Sequence, residues 1–129
     1  MVIDTSALIA VALREPGWED LAHLMAAEEC AMSAATWVEL GIASARMGAA
    51  AAEQVDVIVD AIAPQIIPVS VRQAEMARLA HRRFGRGSGS PARLNYGDCF
   101  SYALAIERMD TLLYVGEDFV HTDVISALR

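Results

Sequence analysis

The chain has 129 residues, the size of one ordinary domain, and can bury an apolar core without disulfides or a structural metal. It is 55% hydrophobic and 21% charged, which argues against disorder, and its two cysteines, Cys30 and Cys99, lack the spacing of a disulfide framework or a thiolate zinc site. A net charge of −7 argues against general affinity for nucleic acid, because non-specific binding rests on Lys and Arg neutralising phosphates.

Met1 to Ile3 is a short apolar run ending at Asp4, and Thr5 and Ser6 are expected to cap a helix over Ala7 to Leu13. Arg14-Glu15-Pro16-Gly17 breaks the chain. Leu21, Leu24 and Met25 then recur at helical spacing between Trp18 and about Glu28. Cys30-Ala31-Met32 is a second apolar stretch, followed by Ser33 as an N-cap and a helix from about Ala35 with Glu39 in its interior. Trp37 is expected in the core, as are Trp18, Met25 and Met32. Past Gly48 a helix runs from Ala49 to Ile62, and Pro64 to Val69 reads as a Pro-bracketed buried strand. Ser70 caps a helix that reaches Phe84. The glycines and proline of Gly85 to Pro91 disfavour regular structure, so flexibility is expected there.

Asn95-Tyr96-Gly97-Asp98 leads into an apolar helix over Cys99 to Arg108. Thr111 to Val115 is a β-prone run before Gly116-Glu117-Asp118. Short apolar runs alternating with helices are the mark of βαβ units, so a single domain over 1–129 is expected, with a mainly parallel sheet covered by helices on both faces. No apolar run reaches the ~18–20 residues of a membrane-spanning helix, and Met-Val-Ile-Asp has no basic leader, so a cytoplasmic, reducing home and no membrane contact are expected.

Ligands gather at the carboxyl ends of parallel strands, which is where Asp4 and Asp118 fall. Asp98 at a helix start and Glu39 on its helix need little displacement to join them. Four carboxylates within a few ångströms raise one another's pKa unless a cation lies between them, and all-oxygen ligation suits Mg²⁺ or Mn²⁺. Such ions activate water and clamp a phosphodiester, so nucleic-acid hydrolysis is a natural reaction here. Taken singly, Asp4 reads more readily as an N-cap and Glu39 as a solvated helix residue, and Asp98 reads as well as a favourable charge at a helix N-terminus.

Four stretches together carry a resemblance: Met-Val-Ile-Asp-Thr-Ser-Ala-Leu from Met1, Glu39 on a helix after a second strand, Leu94-Asn95-Tyr96-Gly97-Asp98-Cys99, and Leu112 to Asp123. The chain resembles a PIN domain of the VapC toxin type over nearly its whole length. The resemblance implies a three-layer α/β/α fold with four or five strands and a Mg²⁺- or Mn²⁺-dependent endoribonuclease that cuts structured RNA such as tRNA or ribosomal RNA. It also implies a VapB-like antitoxin partner and a homodimer. By the same resemblance Asp4 and Asp98 bind metal directly, Glu39 binds or orients it, and Asp118 completes the catalytic cluster. Glu117 and Asp123 compete with Asp118, which is favoured because it directly precedes Phe119.

The chain contains no Lys, and four of its ten Arg, Arg82, Arg83, Arg86 and Arg93, fall in one stretch suited to receiving RNA phosphates. The scattered His23, His81 and His121 receive no catalytic part. A phosphatase using Asp4 as nucleophile would want a second Asp two residues on, where this chain has Ser6. A non-catalytic binding module and a housekeeping RNA-processing nuclease would also suit a chain of this form; the full set of acids speaks against the module.

Overall fold

A computed structural model describes residues 1–128. Its elements are β1 (Val2–Ile3), α1 (Thr5–Ala12), α2 (Trp18–Ala27), β2 (Ala31–Ser33), α3 (Ala34–Arg46), α4 (Ala49–Ile62), β3 (Gln65–Ile67), α5 (Val71–Phe84), α6 (Tyr96–Arg108) and β4 (Leu112–Leu113). The four strands form one sheet in the order β3-β2-β1-β4, parallel throughout, with Val2 opposite both Ala31 and Leu112. All four carboxyl ends therefore lie on the same edge.

Alternation along the strands divides the core in two. Val2 and Leu112 face a cluster holding Phe84, Tyr102 and Leu104 from α5 and α6. Ile3 and Leu113 face the opposite cluster, with Leu8, Leu21, Met25, Val55 and Val59 from α1, α2 and α4. This is the expected three-layer α/β/α arrangement, with four strands among the described residues.

Three local expectations change. The cap of α1 is Asp4, as its reading as an N-cap has it, rather than Thr5 or Ser6, because the Asp4 carboxylate accepts the Ser6 backbone N–H at 3.0 Å. β3 is an edge strand, so Gln65 and Ile66 are exposed rather than buried. Trp37 is 40% exposed, since it lies on the outer side of α3, while Leu40 on the same helix enters the core. Met25 and Met32 are buried as expected, and Trp18 is half-buried against the second cluster.

The Gly85 to Pro91 segment contains turns and no helix or strand. Leu94 N–H donates to Phe84 O at 2.8 Å and Arg86 N–H to Leu94 O at 3.1 Å, closing the loop at its neck. That closure delivers Asn95 to the start of α6, where it caps the helix through the Asp98 N–H at 2.9 Å.

Candidate active site

Asp4 leaves β1 at the carboxyl edge of the sheet and is 4% exposed. Its Oδ2 accepts both the Ser6 backbone N–H at 3.0 Å and the Ser6 hydroxyl at 2.7 Å, while Oδ1 accepts the Ser101 hydroxyl at 2.6 Å. Capping the helix and building the site coexist in this one side chain because it uses different oxygens for each. Ser6 Oγ also accepts the Val115 N–H at 3.1 Å, which ties the chain leaving β4 to Asp4.

Glu39 reaches the same edge from the second turn of α3. Its Oε1 accepts the Thr5 hydroxyl at 2.7 Å. Its carboxylate lies against Gly97 of α6, so closely that a Cβ there would overlap it. Asp98, on the first turn of α6, completes a capping box: its Oδ2 accepts the Asn95 N–H at 2.8 Å while its own N–H bonds the Asn95 side chain. Three elements distant in sequence thus bring Asp4, Glu39 and Asp98 together.

Burial pushes the Asp98 carboxyl up to about 7, opposed by the Asn95 N–H and reinforced by the charges of Asp4, Asp118 and Glu39. Burial also raises Glu39, with the Thr5 hydroxyl opposing and the Asp4 charge adding. Asp118, in the loop after β4, is therefore electrostatically part of the cluster. Asp123 is committed elsewhere: it accepts the Tyr102 hydroxyl at 2.7 Å and the Arg83 guanidinium at 3.2 Å. Glu117 is exposed and is not among the charges acting on Asp98.

Among the described residues none of these four carboxylates forms an ion pair with Arg, His or the N-terminus. Like charges are gathered with no protein cation between them, and every donor atom is oxygen, which fits a hard divalent ion. As they stand, the carboxylates are spaced around the site rather than drawn into a closed ligand set of three or more.

The Arg cluster is less uniform than its sequence spacing suggests. Arg83 is paired with Asp123 and stacks over the Phe84 ring at 4.6 Å. Arg82, Arg86 and Arg93 are exposed, and Arg82 lines an open groove of about 510 Å³ between α5 and α6 beside Tyr96 and Phe100. Sequence reasoning missed Gly97, Ser101 and Thr36. Gly97 had a signal in the Asn-Tyr-Gly-Asp stretch; the two hydroxyls, 65 residues apart, had none.

The PIN domain model matches residues 1–125. Ribonuclease VapC28 of Mycobacterium tuberculosis is 43% identical over 130 residues, covering 99% of this chain and 98% of the relative. Ribonuclease VapC42 of the same organism is 42% identical over 126 residues, covering 96% of each chain. Among solved structures, M. tuberculosis VapC20, described as a sarcin-ricin loop cleaving toxin, superposes with a TM-score of 0.73 at 17% identity, covering 98% of this chain and 97% of that one. VapBC2 from Rickettsia felis, solved bound to a DNA fragment from its promoter, gives 0.72 at 14% identity, covering 97% and 95%. The two solved structures share the fold, and the two sequence relatives share the family over their whole length: the chain belongs to the PIN domain family, in its VapC branch.

Proposed function

We propose that this chain is the endoribonuclease toxin of a toxin–antitoxin pair, a single catalytic domain that hydrolyses phosphodiester bonds in structured RNA such as tRNA or ribosomal RNA with Mg²⁺ or Mn²⁺. The observation that carries the reading is the cluster of Asp4, Glu39, Asp98 and Asp118, all oxygen donors, with Asp98 raised to about 7 and, among the described residues, no ion-pair partner for any of them. Buried and half-buried like charges cost stability, and titratable groups perturbed in this way cluster at functional sites. Full-length similarity to VapC ribonucleases supports the reaction.

Asp4, Asp98 and Glu39 would hold the ion, and Asp118 would complete the site. When bound, such an ion activates water and neutralises charge building on the phosphate. The protein's part is orientation. Ser6 and Ser101 fix the two oxygens of Asp4, Thr5 fixes Glu39, and the Asn95 N–H fixes Asp98, so each carboxylate presents a defined remaining lone pair. Arg82, Arg86 and Arg93 would receive RNA phosphates beside this edge.

The partner in this reading is a VapB-like antitoxin, supported by solved relatives that are a toxin–antitoxin complex from Klebsiella pneumoniae and VapBC2 from Rickettsia felis. Val38 and Ile42, one turn apart on α3 and both exposed, supply an apolar strip suited to a homodimer, which sedimentation of the purified chain tests. An RNA substrate and two free cysteines accord with the cytoplasm.

The deciding experiment incubates the purified chain with an RNA panel and Mg²⁺ or Mn²⁺. Cleavage is expected, abolished both by chelation and by Asp98→Asn. Equal cleavage by wild type and variant sinks the reading.

A further inference from the structure

Ser101 lies on α6, one turn beyond Asp98, with no exposed surface at all. A hydroxyl has one proton, and Ser101 gives it to Asp4 Oδ1 at 2.6 Å. Thr36 Oγ1 stands 3.2 Å from the same Ser101 oxygen, so with that proton already engaged Thr36 is the donor of the pair. The direction of the chain is therefore fixed: Thr36 to Ser101 to Asp4. Thr36 is 1% exposed and sits on α3 three residues before Glu39, on the same face of the helix. One buried hydroxyl relay thus joins the three elements that carry Asp4, Glu39 and Asp98.

The two oxygens of Asp4 are not equivalent. A carboxylate offers about four lone-pair sites, two on each oxygen. Oδ2 already accepts twice, from the backbone N–H and the hydroxyl of Ser6, and has none left. Oδ1 accepts once, from Ser101, and keeps one. Any cation that Asp4 ligates in this conformation is met by Oδ1, the oxygen that Ser101 holds.

We propose that Ser101, backed by Thr36, is the positioning residue that presents Asp4 Oδ1 to the divalent ion. This role rests on the metal-dependent reaction proposed for the site. Ser101 touches neither ion nor substrate; it fixes the carboxylate's rotation, which would otherwise be held only at its Ser6 side. Removing an outer partner of a metal ligand costs about 10- to 100-fold in metal affinity.

The test is Mn²⁺ binding to the purified full chain, followed by electron paramagnetic resonance, with thermal melts of the metal-free proteins alongside. Ser101→Ala is expected to weaken Mn²⁺ about 10- to 100-fold. Thr36→Val, which keeps the shape and removes the donor, is expected to weaken it less, and Thr36→Ser, which restores the hydroxyl, to return it to the wild-type value. A merely structural Ser101 would lower the melting temperature and leave Mn²⁺ affinity of the folded protein unchanged. If Ser101→Ala binds like wild type while Asp98→Asn binds weakly, the relay is overturned and the metal-dependent reading stands. If wild type and Asp98→Asn both fail to bind Mn²⁺, both fall.

Discussion

The Glu39 carboxylate rests on the backbone of Gly97, in the place where any other residue would carry its Cβ. The close approach brings a carboxylate of α3 beside the first turn of α6 and lets Glu39 share a site with Asp98. Gly97→Ala is expected to push Glu39 off the Thr5 hydroxyl and out of the cluster. The overlap falls on the far end of a flexible side chain, so Glu39 yields and the fold does not. Alanine's better helix propensity, worth up to about 1 kcal/mol, further offsets the strain. The outcome is a near-wild-type melting temperature with RNA cleavage lowered about 10²-fold, the scale of an ångström-sized misplacement. Single-turnover cleavage and a thermal melt on the same preparation check it.

Asp118 and Asp123 are separated by their partners. Asp118 acts on Asp98 through its charge, while Asp123 anchors the chain after β4 to Tyr102 and Arg83. Asp118→Asn is expected to lower cleavage toward background with little change in stability. Asp123→Ala is expected to keep cleavage and to lose about 1–3 kcal/mol, the cost of leaving the Tyr102 hydroxyl without its charged acceptor. Denaturant unfolding and cleavage rates of the two variants decide it; the reverse pattern would make Asp123 the fourth acid.

Much of this site was legible because its acids sit in local contexts that a linear reading recognises: the end of a strand for Asp4, and a helix start for Asp98. The Asn95–Asp98 capping box lies within four residues, so sequence spacing suffices to see it. What spacing cannot see is lateral packing. The Thr36–Ser101 bond spans 65 residues, and Ser101 to Asp4 spans 97. β3 was less hidden, since Gln65 and the flanking prolines of the Gln-Ile-Ile run are the marks of an edge strand, outweighed in a linear reading by the two isoleucines. The choice among Glu117, Asp118 and Asp123 likewise depended on which acid another element claims, and Tyr102 and Arg83 claim Asp123.

The four clustered arginines are expected to differ in RNA binding. Arg83 is committed to Asp123 and the Phe84 ring, whereas Arg82 and Arg86 are exposed with no ion pair among the described residues. In an Asp98→Asn background that prevents cutting, Arg82→Ala and Arg86→Ala should each weaken RNA and flatten the dependence of log K on log salt by roughly 0.7–0.9 per lost phosphate contact. Arg83→Ala should change that slope less. Fluorescence anisotropy across a salt series measures all three, and an equal slope change for Arg83→Ala would contradict its commitment to Asp123.

The raised carboxyl of Asp98 makes metal-free stability depend on pH in a definite direction. Folded Asp98 keeps its proton to about 7, while in the unfolded chain an Asp releases it near ~4. Between those values the folded state binds more protons, so this group's contribution to stability is fully present at low pH and is lost as pH rises through about 7. Glu39, also raised by burial, acts with the same sign. Asn at position 98 resembles the protonated form and still offers an oxygen to the Asn95 N–H, so Asp98→Asn removes the penalty without removing the cap. With chelator present, wild type and variant should melt together at about pH 4 and below, and the variant should melt progressively higher as pH rises to about 8. Adding Mn²⁺ at pH 8 should then raise the wild-type melting temperature, by mass action on the folded state, and leave the variant nearly unmoved. A variant no more stable than wild type at pH 8 would mean that burial and the neighbouring carboxylates together do not disfavour the charged form of Asp98.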